Sequence, residues 1–144
     1  MNLDSAKQTF AQEAAELLEA MEDALLSLED SPDDAELLHQ VFRAMHTIKG
    51  TAGVFGYEPI VRFTHTAETV LDDVRAGERA LSAGLIAVLL ECRDHTGHLV
   101  DAVLAAAAPD DPDVLSAELV ARGEALIAQL RGDADGPGVP APAP

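Results

Sequence analysis

At 144 residues the chain has the length of one domain, and its 48% apolar residues are enough to fill a single core and to exclude wholesale disorder. Against 9 basic residues stand 26 acidic ones, a net charge of −17, so the surface repels nucleic acid and anionic lipid and suits either plain solubility or docking on basic surfaces. The single cysteine, Cys92, excludes an internal disulfide and a cysteine-built metal cage, and its periodic helical setting reads as a small buried hydrophobe.

Aromatic residues are only 3% and tryptophan is absent, so Ala, Leu, Val and Ile must fill the core. Helix formers dominate and β-branched alternation is scarce, which predicts an all-α protein. No window approaches the roughly 18 uninterrupted apolar residues of a membrane span, and MNLDSAKQTF lacks the basic-then-apolar pattern of a signal peptide. The expectation is a soluble, cytoplasmic protein with no nucleic-acid partner and no membrane insertion.

The first helix is predicted over 5–29, capped by Asp4 or Ser5. Phe10, Ala14, Leu17, Met21, Leu25 and Leu28 recur at three- and four-residue steps opposite Glu13, Glu16, Glu19 and Glu22. EDSPDD breaks it at Pro32. A second helix over 34–53 buries Leu38, Val41, Phe42, Met45, Ile48 and Ala52. FGYEP forms a turn, with Pro59 at the first position of a third helix over 59–76 that runs through Ile60, Phe63, Ala67, Val70, Leu71 and Val74 and ends at Gly77. Ser82 caps a fourth helix over 83–107, with Leu85, Leu89, Cys92, Thr96, Leu99 and Val103 inward. APDDPD separates a shorter fifth helix over 112–131. Short connections between long amphipathic helices favour antiparallel neighbours, so the expected fold is an up-down antiparallel four-helix bundle with an additional fifth helix. Residues 132–144, GDADGPGVPAPAP, lack apolar periodicity and carry four prolines, the composition of a semi-rigid linker after a domain over 1–131. A linker there suggests the front piece of a larger protein.

AMHTIKGTAG, residues 44–53, does not fit a helix built only for stability. Gly50 and Gly53 each weaken a helix by roughly 1 kcal/mol relative to alanine. On a helical wheel His46 lies about 110° from the centre of the buried stripe, at its boundary or outside. Lys49, Gly50 and Gly53, at i+3, i+4 and i+7, share its side. The imidazole thus stands beside a positive charge on a surface cleared of side chains, where another protein's backbone can approach. Lys49 is one of only two lysines in the chain. On the third helix His65 and Glu68 are three apart and share a face that antiparallel packing brings toward His46. A carboxylate accepting the Nδ1 proton fixes the tautomer and leaves the Nε2 lone pair outward, able to attack a phosphoryl group whose charge Lys49 offsets.

FRAMHTIKGTAGVFGY (42–57) followed by THTAE (64–68) resembles the histidine phosphotransfer (Hpt) domain, the N-terminal phospho-accepting domain of CheA-type chemotaxis histidine kinases. The family signature is a histidine followed by Thr/Ser-x-Lys-Gly-x-Ala-Gly, a Phe-Gly aromatic turn and a later Thr-His-x-x-Glu. Here these are His46, Thr47 to Gly53, Phe55-Gly56-Tyr57 and Thr64 to Glu68, with a looser match over 5–131. The resemblance implies a five-helix domain in which His46 is phosphorylated from ATP by a separate kinase catalytic domain and then passes the group to an aspartate of a CheY-like response-regulator receiver. It implies that Glu68 orients His46, that Lys49 and His65 complete a hydrogen-bonded network, and that Gly50 and Gly53 belong to the docking surface. Met45, where the family often has Ala, and Thr51, where Ser or Gly is usual, would crowd the site. No Gly-rich phosphate loop is present, so this chain by itself is a phosphoryl acceptor and donor with no cofactor of its own, ATP being used by the separate kinase domain.

Three other readings compete: a stand-alone Hpt protein in a multistep relay, a metal-binding bundle and a purely structural bundle. A ferritin-like carboxylate site needs two inward Glu-x-x-His pairs. The chain offers one, Glu36 to His39, and His65 to Glu68 runs in reverse order, so no metal site is expected. His95 and His98 share a side of the fourth helix and read as solvated residues without a role.

Overall fold

The computed structural model describes residues 3–106 and 115–132, which form five helices and no strand. These are α1 (Leu3–Asp30), α2 (Ala35–Phe55), α3 (Glu58–Arg75), α4 (Ala83–Ala105) and α5 (Ala117–Arg131). In the bundle α2 packs on α1 and α3, and α4 closes the ring by packing on both α1 and α3. The fifth helix lies outside this ring against α3 and α4. The expected all-α four-helix bundle with an added helix is the observed one.

Local chemistry explains most boundaries. Asp34 caps α2, its Oδ1 accepting from the backbone N–H groups of Glu36 and Leu37 at 3.0 and 3.2 Å, and Ser82 and Ser116 cap α4 and α5 in the same way. Several boundaries differ from the sequence expectation, and α4 ends at Ala105, short of the expected 107, because Ala106 is already extended. Helix α1 already includes Leu3, so Asp4 sits in its first turn instead of capping it. Helix α2 continues past Gly53 to Phe55, because the left-handed residue that ends it is Gly56, at φ 77°, whose N–H reaches back to Gly53 O at 3.2 Å. Helix α3 consequently begins at Glu58, one residue before Pro59. The start of α5 is set by the Ser116 cap; the earlier start at 112 and the 133–144 part of the expected linker lie outside the described residues.

The core runs through Phe10, Met21, Leu25 and Leu28 of α1, Val41, Met45 and Ile48 of α2, Ile60 and Leu71 of α3, and Leu85, Leu89 and Leu99 of α4. Leu18, not Leu17, completes the α1 stripe, while Phe42 and Val74 are only half-buried. Cys92 is fully buried, and burial pushes its thiol up to about 12. Arg93 ties α4 to α1 through a 2.9 Å bond from Nε to the Leu18 carbonyl.

His95 corrects the expectation that it is solvated. It is 3% exposed, its ring set edge-on to Phe63 of α3 at 4.6 Å between centroids. Helix α5 covers the same ring, and a Cβ at Gly123 would stand 2.9 Å from His95 Nε2, so glycine is what lets α5 approach. Burial draws the imidazole down to about 4, which keeps it neutral in the folded protein at neutral pH. His98 is exposed, as expected. Replacing Gly123 with alanine should lower stability by about 1–3 kcal/mol despite alanine's better helix propensity, because the added methyl collides with a buried ring. Chemical denaturation followed by circular dichroism measures this; a stabilised variant would show that the α5 approach is not tight.

Candidate functional site: an exposed histidine held by a shared carboxylate

The seam between α2 and α3 is antiparallel. Lys49 and His46 of α2 meet Glu68 near the middle of α3, and Phe42, one turn before His46, meets Arg75 at the α3 terminus. The register is set at the connecting turn, where Tyr57 is fully buried and stacks on Phe55 at 5.4 Å and 7°, and both rings contact Phe10 of α1. The chain re-enters a helix at the next residue, Glu58, so α3 has little freedom to slide along α2.

Glu68 is the centre of the site. Its side chain is 11% exposed; Oε2 accepts from His46 Nδ1 and Oε1 from Lys49 Nζ. Burial acts to raise the carboxyl's pKa, but the hydrogen bonds and positive charges of Lys49 and His46 outweigh it and hold Glu68 below its ordinary value. An ionised carboxylate only accepts, so Nδ1 of a neutral His46 carries the proton and Nε2 keeps its lone pair. The His46 side chain is 63% exposed. With that exposure, the imidazole stands at the rim of the bundle and not in its interior.

The surroundings of the rim are bare. Gly50 is exposed with nothing within 4 Å of a Cβ placed on it, and a Cβ at Gly53 would meet only Val61 Cγ2, at 4.0 Å. Neither glycine therefore serves a close helix–helix contact. Val54, next to Gly53, is 85% exposed. Met45 and Thr51 do not crowd this surface: Met45 is wholly inside the core, and Thr51 is half-buried in the α1–α2 groove beside Phe10 and Phe55.

His65 is not brought into the cluster. It is exposed, makes no side-chain hydrogen bond or ion pair among the described residues, and lines a cleft with Thr66, Thr69 and Arg131. A spacing of three places it near Glu68 on the helix, but the side of Glu68 that faces α2 is the other one. One contact of His46 is not evident in the sequence: its ring stacks on Phe42, with centroids 5.9 Å apart and planes within 9°, and Phe42 is in turn covered by the Arg75 guanidinium, 4.0 Å from its centroid. The i, i+4 spacing of Phe42 and His46 was the available signal. No group of three or more His, Cys, Asp or Glu side chains is clustered to hold a metal ion among the described residues.

Comparison with known proteins agrees with this geometry. Residues 5–133 match the Hpt domain family. The chain belongs to the Hpt domain family. Among curated proteins it is 38% identical over 141 residues to the chemotaxis protein CheA of Salmonella typhimurium, covering 98% of this chain and 20% of that protein. It is 34% identical over 104 residues to CheA of Bacillus subtilis, covering 72% of this chain and 16% of that one. The chain thus spans about a fifth of the length of these relatives. Among solved structures, the phosphorylated P1 domain of CheA3 in complex with CheY6 from R. sphaeroides aligns with a TM-score of 0.73 at 27% identity, covering 89% of this chain and 99% of that one. The CheA phosphotransferase domain from Thermotoga maritima aligns at 0.68 and 32%, covering 73% and 100%. The Hpt fold and the His46 motif therefore coincide in one domain.

Because Glu68 is held ionised in the folded state, its contribution to stability is complete above the ordinary value near 4.5 and is lost as pH falls through its lower folded value. Glu68→Gln should flatten the stability–pH curve in that acid range relative to the unaltered protein, read by thermal melts at a series of pH values. The same substitution should slow phosphorylation of His46 by about tenfold or more, since an amide can donate to Nδ1 and permit the wrong tautomer. An unchanged rate would remove Glu68 from the chemistry.

Proposed function

We propose that this chain is the phosphoryl carrier of a CheA-type chemotaxis kinase. It takes the group from ATP bound on a separate catalytic domain and hands it to an aspartate of a CheY-like receiver. The observation that carries this reading is His46 itself: exposed at Nε2 and fixed at Nδ1 by a carboxylate. The R. sphaeroides P1 domain, to which this chain is similar, is phosphorylated and in complex with a CheY protein, which supports the choice of acceptor. No helix among the described residues is long and apolar enough to cross a membrane, and CheA relatives support a cytoplasmic setting.

In the first step the Nε2 lone pair attacks the γ-phosphorus of ATP. A nitrogen–phosphorus bond forms, the bond from phosphorus to the bridging oxygen breaks, and ADP leaves with that electron pair. The imidazole becomes a cation with the Nδ1 proton still in place, and Glu68 stabilises it. Lys49, already paired with Glu68, offsets the charge of the incoming phosphoryl oxygens. In the second step a receiver aspartate oxygen attacks phosphorus, the nitrogen–phosphorus bond breaks, and neutral His46 is regenerated with its Nδ1–H. No group of this chain acts as a cofactor; ATP serves as the substrate of the other domain. Positioning by the partner supplies most of the rate in such transfers, so an open site is an advantage.

Incubation with a CheA-type kinase core and γ-labelled ATP tests this. The chain should acquire acid-labile, alkali-stable label, and His46→Gln should acquire none; label retained in that variant defeats the reading. Gly53→Leu should leave the melting temperature unchanged or slightly raised, since its helix propensity improves by about 1 kcal/mol and nothing internal is displaced. Transfer to a CheY-like receiver should nevertheless slow by about tenfold, because the side chain obstructs the approach. A collapse of thermal stability would instead assign the glycine to internal packing.

A further inference from the structure

A single hydrogen bond at Nδ1 does not determine where Nε2 points. The imidazole can still rock about the Nδ1–Oε2 line, and the Nε2 lone pair, which lies in the ring plane, swings with it. In-line transfer to phosphorus depends on that direction. A second constraint on the plane of the ring is therefore needed, and Glu68 cannot supply it.

The geometry points to Phe42 as that second constraint, with Arg75 as the residue that holds Phe42, so that the pair acts as a positioning device for His46. Phe42 precedes His46 by four residues, one helical turn, and the two rings are parallel to within 9° at 5.9 Å, in the range of offset stacking. Phe42 is only half-buried, so the core alone does not fix its face. What covers it is the guanidinium of Arg75, 4.0 Å from its centroid, a cation–π contact made across the seam from α3. The only ion pair of Arg75 among the described residues is a loose one within its own helix, with Asp72 at 3.9 Å, so the Phe42 face is what it engages across the seam.

Arg75 follows Glu68 by seven residues, two turns, on the same helix, while Phe42 and Lys49 are seven apart on α2. One face of α3 therefore reaches across at two levels. Glu68 sets the tautomer and anchors Nδ1; Arg75, through Phe42, sets the plane. Neither Phe42 nor Arg75 touches the phosphoryl group in this scheme.

The inference rests on His46 being the phosphoryl acceptor, but one of its readouts does not. Phe42→Leu, Phe42→Tyr and Arg75→Gln are prepared in the full chain and compared by melting temperature. They are also compared by ¹³C relaxation of the His46 Cε1–H bond, and by the rate of labelling from a CheA-type kinase core with γ-labelled ATP. Phe42→Leu should loosen the ring, seen as a lower order parameter, and slow labelling about three- to tenfold. Phe42→Tyr, which keeps the aromatic face, should restore both to within about twofold. Arg75→Gln, at a more exposed position, should move both readouts in the direction of Phe42→Leu while leaving the melting temperature near that of the unaltered protein.

A ring as ordered in Phe42→Leu as in the unaltered protein overturns the proposal, as does an unchanged labelling rate. Phe42→Tyr behaving like Phe42→Leu would reduce Phe42 to a volume-filling residue and also overturn it. Should Phe42→Leu fail to fold, Arg75→Gln decides alone, an unmoved ring or rate overturning the device. If the unaltered chain takes no label at all, the carrier function fails, and the relaxation comparison still decides whether Phe42 and Arg75 orient the ring.

Discussion

The site depends on one half-hidden carboxylate with two donors. Glu68 lies mostly inside the α2–α3 seam, where little water reaches it, so its charge leans on partners from the protein. Both partners come from α2, one helical turn apart, and each takes one oxygen. Burial alone would favour the protonated acid, which could donate to Nδ1 and so select the tautomer with its proton on Nε2. The two donors reverse that balance, and the ionised form compels Nδ1 to be the protonated nitrogen. The direction of the free lone pair on His46 is thus a consequence of how α3 packs on α2. A slip of one residue along that seam would move Glu68 by about 100° around α3 and dissolve the arrangement.

The remainder of the fold can be understood as holding that seam in register. The Phe10–Phe55–Tyr57 corner clamps α1, α2 and the turn into α3 at one end, with Gly56 supplying the left-handed residue that the tight reversal demands. Behind α3, His95 of α4 braces Phe63 and is itself pressed by α5 at Gly123. The fifth helix contributes nothing to the rim directly. It backs the helix that carries the carboxylate, and the buried, neutral His95 is the piece that joins the two.

Much of this was legible in the sequence because it is local or periodic. Helix faces follow from three- and four-residue spacing, and caps from Asp34, Ser82 and Ser116. The exposed position of His46 beside Lys49 and two glycines follows from the wheel alone. What was not legible depends on which neighbour covers a face. His95 reads as polar and solvated until a fifth helix with a glycine at position 123 lies over it. His65 and Glu68 share a helix face by spacing, yet only tertiary packing decides that Glu68 turns toward α2 and His65 toward solvent. Three glycines near the end of α2 are equivalent as letters; only Gly56 adopts positive φ, since it is the one followed by a buried tyrosine that pulls the chain back. Phe42 reads as core because it falls in the apolar stripe of α2, and its half-exposed face toward His46 is defined only by packing, with Arg75 over the ring.

The two glycines at 50 and 53 show where stability and access part company. Every other turn of α2 carries a residue that favours the helix or fills the core, but these positions do neither: no side chain sits close enough to either to require a missing Cβ. A folding argument gives no reason for them, and local rules are broken in natural sequences mainly where function requires it. The adjoining features are of one kind: a nitrogen with its lone pair outward, an ammonium group already compensated and an exposed Val54. A hydrolytic site would need a base free to activate water, and the carboxylate bonded to His46, Glu68, has both oxygens engaged. On the proposed reading, such a surface suits holding a reactive phosphoryl group without discharging it, and yielding it when a partner brings the missing groups into line.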